Sequence, residues 1–148
     1  MVCRNPQQFP RLISGLRSKD VLVRMRAADA AEKISRECPE LLQPCKDELL
    51  ALMAETEEQE LRWHLAVMVS RLSLNSRERR HAASLLNKYL ESRSSIVKTF
   101  ALQGLADMAQ SDSAIRETTL KALRKARRNG TPAMKARSGK LLNRLQCG

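Results

Sequence analysis

Apolar side chains return along this chain on a helical spacing, and the same run occurs four times. Val23 to Ala28, Leu61 to Ala66, Val97 to Leu102 and Met134 to Gly139 align without gaps. From the first residue of each run, apolar or small positions follow at i+4, i+8 and i+11. They are Val23, Ala27, Ala31 and Ile34; then Leu61, Leu65, Val69 and Leu72. The later sets are Val97, Ala101, Leu105 and Met108, and Met134, Ser138, Leu142 and Leu145. That spacing keeps one face of an α-helix apolar, so each run predicts an amphipathic helix. A basic residue follows the first position every time, at Arg24, Arg62, Lys98 and Lys135, with gaps of 38, 36 and 37 residues.

Four further amphipathic stretches, near 7–17, 40–54, 77–91 and 113–128, alternate with these runs. Their expected anchors are Phe9, Leu12, Ile13 and Leu16; Leu42, Leu49, Leu52 and Met53; Leu86, Tyr89 and Leu90; and Ile115, Thr119, Leu123 and Ala126. Polar breaks separate the members of each pair: Ser18 to Asp20, Glu55 to Glu58, Ser92 to Ser95, and Asn129 to Pro132. In the last break Gly130 suits a left-handed C-cap, Thr131 can cap the next helix, and Pro132 fits its first turn. Pro39 and Pro44 predict a short turn before the second stretch settles into helix near Pro44. The expected repeats are 7–37, 40–74, 77–110 and 113–146 of a single domain. One such helix pair cannot bury its apolar face alone, so neighbours must stack.

The period and the opening of the second helix resemble the HEAT repeat family. Asp20-Val21-Leu22-Val23-Arg24-Met25-Arg26-Ala27-Ala28 is similar to its pattern, as is Ser95-Ile96-Val97-Lys98 through Leu105. The fourth copy departs most, with Ser138 and Gly139 in place of larger residues. The resemblance implies an all-α, right-handed α-α superhelix of about four helix pairs. It also implies a role in binding, with the second helices lining the concave side.

Composition is compatible with this picture. Hydrophobic residues make up 43% of the chain and aromatic residues 3%, so the core rests on aliphatic side chains. No stretch approaches the roughly 20 apolar residues of a membrane span, and the first residues lack a secretory-type apolar segment. Cys3, Cys38, Cys45 and Cys147 read as reduced thiols, and a cytoplasmic location is expected. A zinc site at Cys38 and Cys45 is the sharper alternative, but they stand seven apart with no His pair nearby. The net charge of +11 lies wholly in the second half. Residues 75–148 carry 16 Lys and Arg against 5 Asp and Glu, while residues 1–74 balance at 11 and 11. Such asymmetry points to an acidic or polyanionic partner, or to a solvated basic face.

On the second helices, positions two, five and nine after the basic residue point away from the predicted core. The rows are Arg26, His64, Phe100 and Arg137; Asp29, Val67, Gln103 and Lys140; and Lys33, Arg71, Asp107 and Arg144. Trp63, His64, Val67, Phe100 and Gln103 are therefore candidate partner-binding residues, an apolar centre inside a charged rim. Packing of Trp63 and Phe100 against a neighbouring repeat is the competing reading. The ladder Arg24, Arg62, Lys98 and Lys135 lies closer to the core and is expected to brace turn carbonyls or an acidic neighbour.

A basic patch comprises Lys121, Arg124, Lys125, Arg128, Arg137, Lys140 and Arg144. The first four share one helical stripe. Phosphate contact there would be salt-sensitive and non-specific, because no aromatic platform follows Phe100. Catalysis finds no support. His64 and His81 lack a recognisable nucleophile partner, and the glycines form no phosphate loop. Alkylpurine DNA glycosylases built on HEAT-like repeats use an Asp with several aromatics in a basic groove, a set missing here. The expected function is a non-catalytic protein-binding adaptor without cofactor, metal or small-molecule substrate. Contact with a nucleic-acid backbone is the alternative.

Overall fold

The computed structural model describes residues 5–147, which contain eight α-helices, three short 3-10 segments and no strand. None of the helices is long and apolar enough to cross a membrane. The chain divides into two compact units, Met1–Ser73 and Leu74–Gly148, each holding two of the four repeated runs.

In the first unit α1 (Phe9–Ser14) runs into a 3-10 turn, Gly15–Arg17, and α2 spans Val21–Glu37. The 3-10 segment Pro39–Cys45 leads into α3 (Lys46–Glu55), and α4 is Gln59–Val69. Proline supplies no N–H to the helical ladder, so the α-helical geometry begins only past Pro44. α2 packs against α1 and α4, and α3 packs against α4. Phe9, Leu16, Leu42, Leu49, Met53, Leu61, Leu65 and Met68 are fully buried. Each large side chain taken out of water contributes about 1.5–3 kcal/mol.

In the second unit α5 is Ser76–Tyr89, α6 Ser95–Ala109, α7 Ser113–Asn129 and α8 Pro132–Cys147. α6 packs against α5, α7 and α8, and α7 against α8. Leu86, Leu102, Leu105 and Leu123 fill the interior. Asn75 and Glu78 cap α5 reciprocally, at 2.8 and 2.9 Å, and Asp112 accepts from the Ala114 N–H at 3.0 Å to start α7.

The turns before the second helices repeat as closely as the helices do. The residues preceding α2, α4, α6 and α8 are Asp20, Glu58, Ser94 and Thr131. Asp20 accepts from the Leu22 N–H, Ser94 from that of Val97, and Thr131 from that of Met134. Two residues before the first three of these positions, a hydroxyl accepts the N–H of the capping residue. Ser18 does so at 3.2 Å, Thr56 at 3.2 Å and Ser92 at 3.1 Å.

Of the sixteen residues expected on the buried faces of the second helices, Val23 is the clear departure, at 45% exposed. Among the described residues, α1 is short and its following turn meets α2 near Ala27, one turn farther along. Gly130 also departs from expectation, since its φ of −79° and ψ of 177° are extended rather than left-handed. Space explains the glycine: a Cβ there would stand 2.5 Å from the Ala126 carbonyl oxygen and 2.8 Å from the Met134 Cβ. Cys45 and Cys147 are free thiols. Cys38 is disulfide-bonded, which corrects the reduced state expected there. Pairing cannot be read from cysteine spacing, and the thiol argument for a cytoplasmic location falls with it. Cys3 lies outside the described residues.

Candidate functional site

Within each unit the outward rows of the two second helices largely face each other instead of standing open. In the first unit His64 Nε2 on α4 lies 3.9 Å from Asp29 Oδ1 on α2. In the second, Arg137 on α8 donates to Gln103 Oε1 on α6 at 2.7 Å. These contacts share one register: position two of the later helix meets position five of the earlier one. Farther along, Arg71 donates to the Glu32 carbonyl and to Ser35 Oγ, both at 2.8 Å. Its counterpart Arg144 donates to Asp107 Oδ1 at 2.7 Å. Within each unit the two second helices lie side by side, so residues set about 100° from the core by helical arithmetic become the seam between neighbours.

His64 is therefore corrected as a contact residue, being 1% exposed. Its Nδ1–H donates to the Glu60 carbonyl at 2.8 Å, and Trp63 stacks on its ring with centroids 3.6 Å apart. Trp63 and Val67 remain half-buried on α4, and Phe100 is half-buried on α6. Gln103 is also committed, accepting from Arg137 and donating to Asp107 at 3.1 Å. The apolar centre expected from Trp63, Val67 and Phe100 draws on residues from both units.

The basic ladder separates into two kinds. Arg24 donates to the Ser18 carbonyl at 2.7 Å and grips the Glu58 carboxylate at 2.7 and 3.2 Å. Arg62 donates to the Thr56 carbonyl at 2.9 Å, again six residues back. These two brace their turns as expected. Lys98 occupies the same register and is half-buried, yet its ammonium meets no acceptor among the described residues. A lysine is shorter and lacks the fork that reaches both carbonyl and carboxylate. Lys135 is exposed.

The basic patch divides likewise. Arg137 and Arg144 are held by Gln103 and Asp107, so they are not free cations. Lys121, Arg124, Lys125 and Arg128 on α7 are exposed, as are Arg127 and Lys140, and none has an acidic partner among the described residues. The α7 stripe faces two hollows. Arg124, Arg127 and Arg128 border a shallow one of about 250 Å³ with Leu142 and Gln146. Lys125 lines a larger cleft of about 470 Å³ together with Lys98, Asn129, Leu90, Leu102 and Met134. The sequence reading missed Lys98 as a possible ligand group; the only available signal was a lysine where the first two copies carry arginine.

Among the described residues no three His, Cys, Asp or Glu side chains gather as metal ligands. His81 is exposed on α5. Burial pushes the Cys45 thiol above its ordinary pKa, opposite to what a reactive thiolate needs. The arrangement offers exposed cations bordering two hollows, which is chemistry for binding anions. No protein-family model matches the chain, and neither a curated protein nor a solved structure matches it.

Proposed function

We propose that this chain is a non-catalytic, HEAT-type helical scaffold whose second unit binds an acidic partner protein through α7. One observation carries the reading: five exposed cations on α7 have no acidic partner among the described residues, while Arg24, Arg71, Arg79, Arg137 and Arg144 are all engaged within the fold. An uncompensated stripe repels itself and gains most from an external anion. Half-buried Leu90 and Ala122, in the cleft that Lys125 lines, favour a protein over a phosphate backbone. A protein partner carries apolar side chains that cover such surface. The repeated helix pairs and turn-bracing arginines support the HEAT-type reading.

The three guanidinium groups of Arg124, Arg127 and Arg128 around one hollow also suit a phosphate, which makes duplex nucleic acid the second reading. Binding of fluorescent poly-glutamate and of a random-sequence DNA duplex, at about 50 and 300 mM salt, separates the two. Poly-glutamate binding that is weakened about tenfold or more in an Arg124→Gln, Arg127→Gln, Arg128→Gln variant supports the proposal. Duplex binding that exceeds poly-glutamate binding at both salt levels favours the second reading. Absence of either at low salt refutes both.

A further inference from the structure

The cleft against α7 is the most specific feature outside the stripe itself. Half-buried Leu90 and Ala122, with the small exposed part of Met134, give it apolar surface, and Lys98, Lys125 and Asn129 give it polar walls. Glu91 also lines it but pairs with neither lysine, so cations exceed anions two to one. Its volume of about 470 Å³ falls within the range that encloses a small ligand or a few side chains.

Lys98 is the decisive residue. Arg24 and Arg62, in the same register of their turns, close onto carbonyls six residues back at 2.7 and 2.9 Å. Lys98 makes no such bond to Ser92; the residue is half-buried and lines the cleft, and its ammonium meets no acceptor among the described residues. An ammonium carries three donors and no acceptor, so an anion entering the cleft can take bonds that no group of the described fold takes. A carboxylate supplies acceptors of opposite charge.

We propose that this cleft takes a Glu or Asp side chain of the partner, with a Leu- or Met-sized neighbour from the same segment on the apolar floor. The carboxylate sits between Lys98 and Lys125, and the neighbour covers Leu90, Ala122 and the exposed part of Met134. This inference rests on the acidic-partner reading and narrows it to one pocket.

The test uses the full chain with labelled methionine methyl groups and two capped peptides, Ser-Glu-Leu-Leu-Ser and its Gln counterpart. Magnetic resonance titration should show a saturable shift of the Met134 methyl with the Glu peptide and at least about tenfold weaker binding of the Gln peptide. Lys98→Met and Lys125→Met should each weaken the Glu peptide about tenfold, with thermal unfolding checked in the same samples to establish that both variants fold. A Met134 signal unmoved at about 10 mM peptide, or equal binding of the two peptides, overturns the proposal. So does a response to Glu peptide that survives both lysine substitutions. If poly-glutamate binding still depends on Arg124, Arg127 and Arg128 in that case, the pocket fails while the acidic-partner reading stands.

Discussion

Arg71 and Glu32 are joined twice, through the Glu32 carbonyl at 2.8 Å and its carboxylate at 3.2 Å. The same guanidinium reaches Ser35 Oγ, so one side chain from the turn after α4 ties the end of α2. Arg36 adds a second bond to the Glu32 carboxylate at 2.6 Å. Arg71→Met keeps the aliphatic bulk but removes three bonds to buried acceptors. It should cost about 1–3 kcal/mol in denaturant unfolding of the full chain. A change below about 0.5 kcal/mol would mean that water replaces the guanidinium without loss.

Acid should destabilise the fold through these same carboxylates. Burial alone would raise the pKa of Glu32, but the bonds from Arg36 and Arg71 outweigh it and hold the group below its ordinary value of 4.5. The Arg79 guanidinium, then the Ala114 N–H, likewise hold Asp112 below 3.8. A lowered folded pKa means that the unfolded chain binds protons first, so the stabilisation is complete above these ordinary values and lost as pH falls through the lowered ones. Melting temperature should change little from Glu32 titration near neutrality and fall below about pH 4.5. Glu32→Gln should flatten that fall, measured by thermal unfolding across pH 3 to 7, roughly the carboxylate range.

Two glycines should respond oppositely to alanine. At Gly130 a methyl group meets the Ala126 carbonyl at 2.5 Å, and backbone cannot give way cheaply. At Gly139, within α8, a methyl group meets nothing within 4 Å. Gly130→Ala should destabilise by about 1–3 kcal/mol. Gly139→Ala should stabilise by about 0.5–1 kcal/mol, because alanine restricts the unfolded chain and favours helix. Chemical denaturation of both variants checks the contrast.

Trp63 covers the His64 ring at a centroid distance of 3.6 Å, so its removal should be felt in the fold as well as at any contact surface. Trp63→Ala should cost about 1–3 kcal/mol by the same measurement, less than a fully enclosed aromatic. If stability is unchanged, the indole serves contact with a partner rather than packing.

Helix positions were legible because their warrants are local. The i+4, i+8 and i+11 spacing after Leu61 or Val97 identifies a buried stripe whatever the helix packs against, and Leu61, Leu65, Val97 and Leu105 are buried. Pro39, Pro44 and Thr131 act within a few residues of themselves. The bracing of turns by Arg24 and Arg62 was legible for the same reason, since the accepting carbonyls lie six residues away.

The candidate surface was less legible, because outwardness on one helix is a different property from exposure in a fold. His64 and Gln103 point off the core stripe, but a neighbouring helix or ring occupies that direction. The charge rows posed the same problem: sequence shows Arg124 and Arg144 as equal cations, whereas Asp107 holds only the latter. The cleft beside Lys98 was beyond sequence entirely, since it depends on how α5, α6, α7 and α8 stand apart as well as together. Short-range order along the chain therefore determined the helices, their caps and their buried faces. Packing between helices decided which charges are spent and which remain free, because pairing depends on distances that chain position does not set.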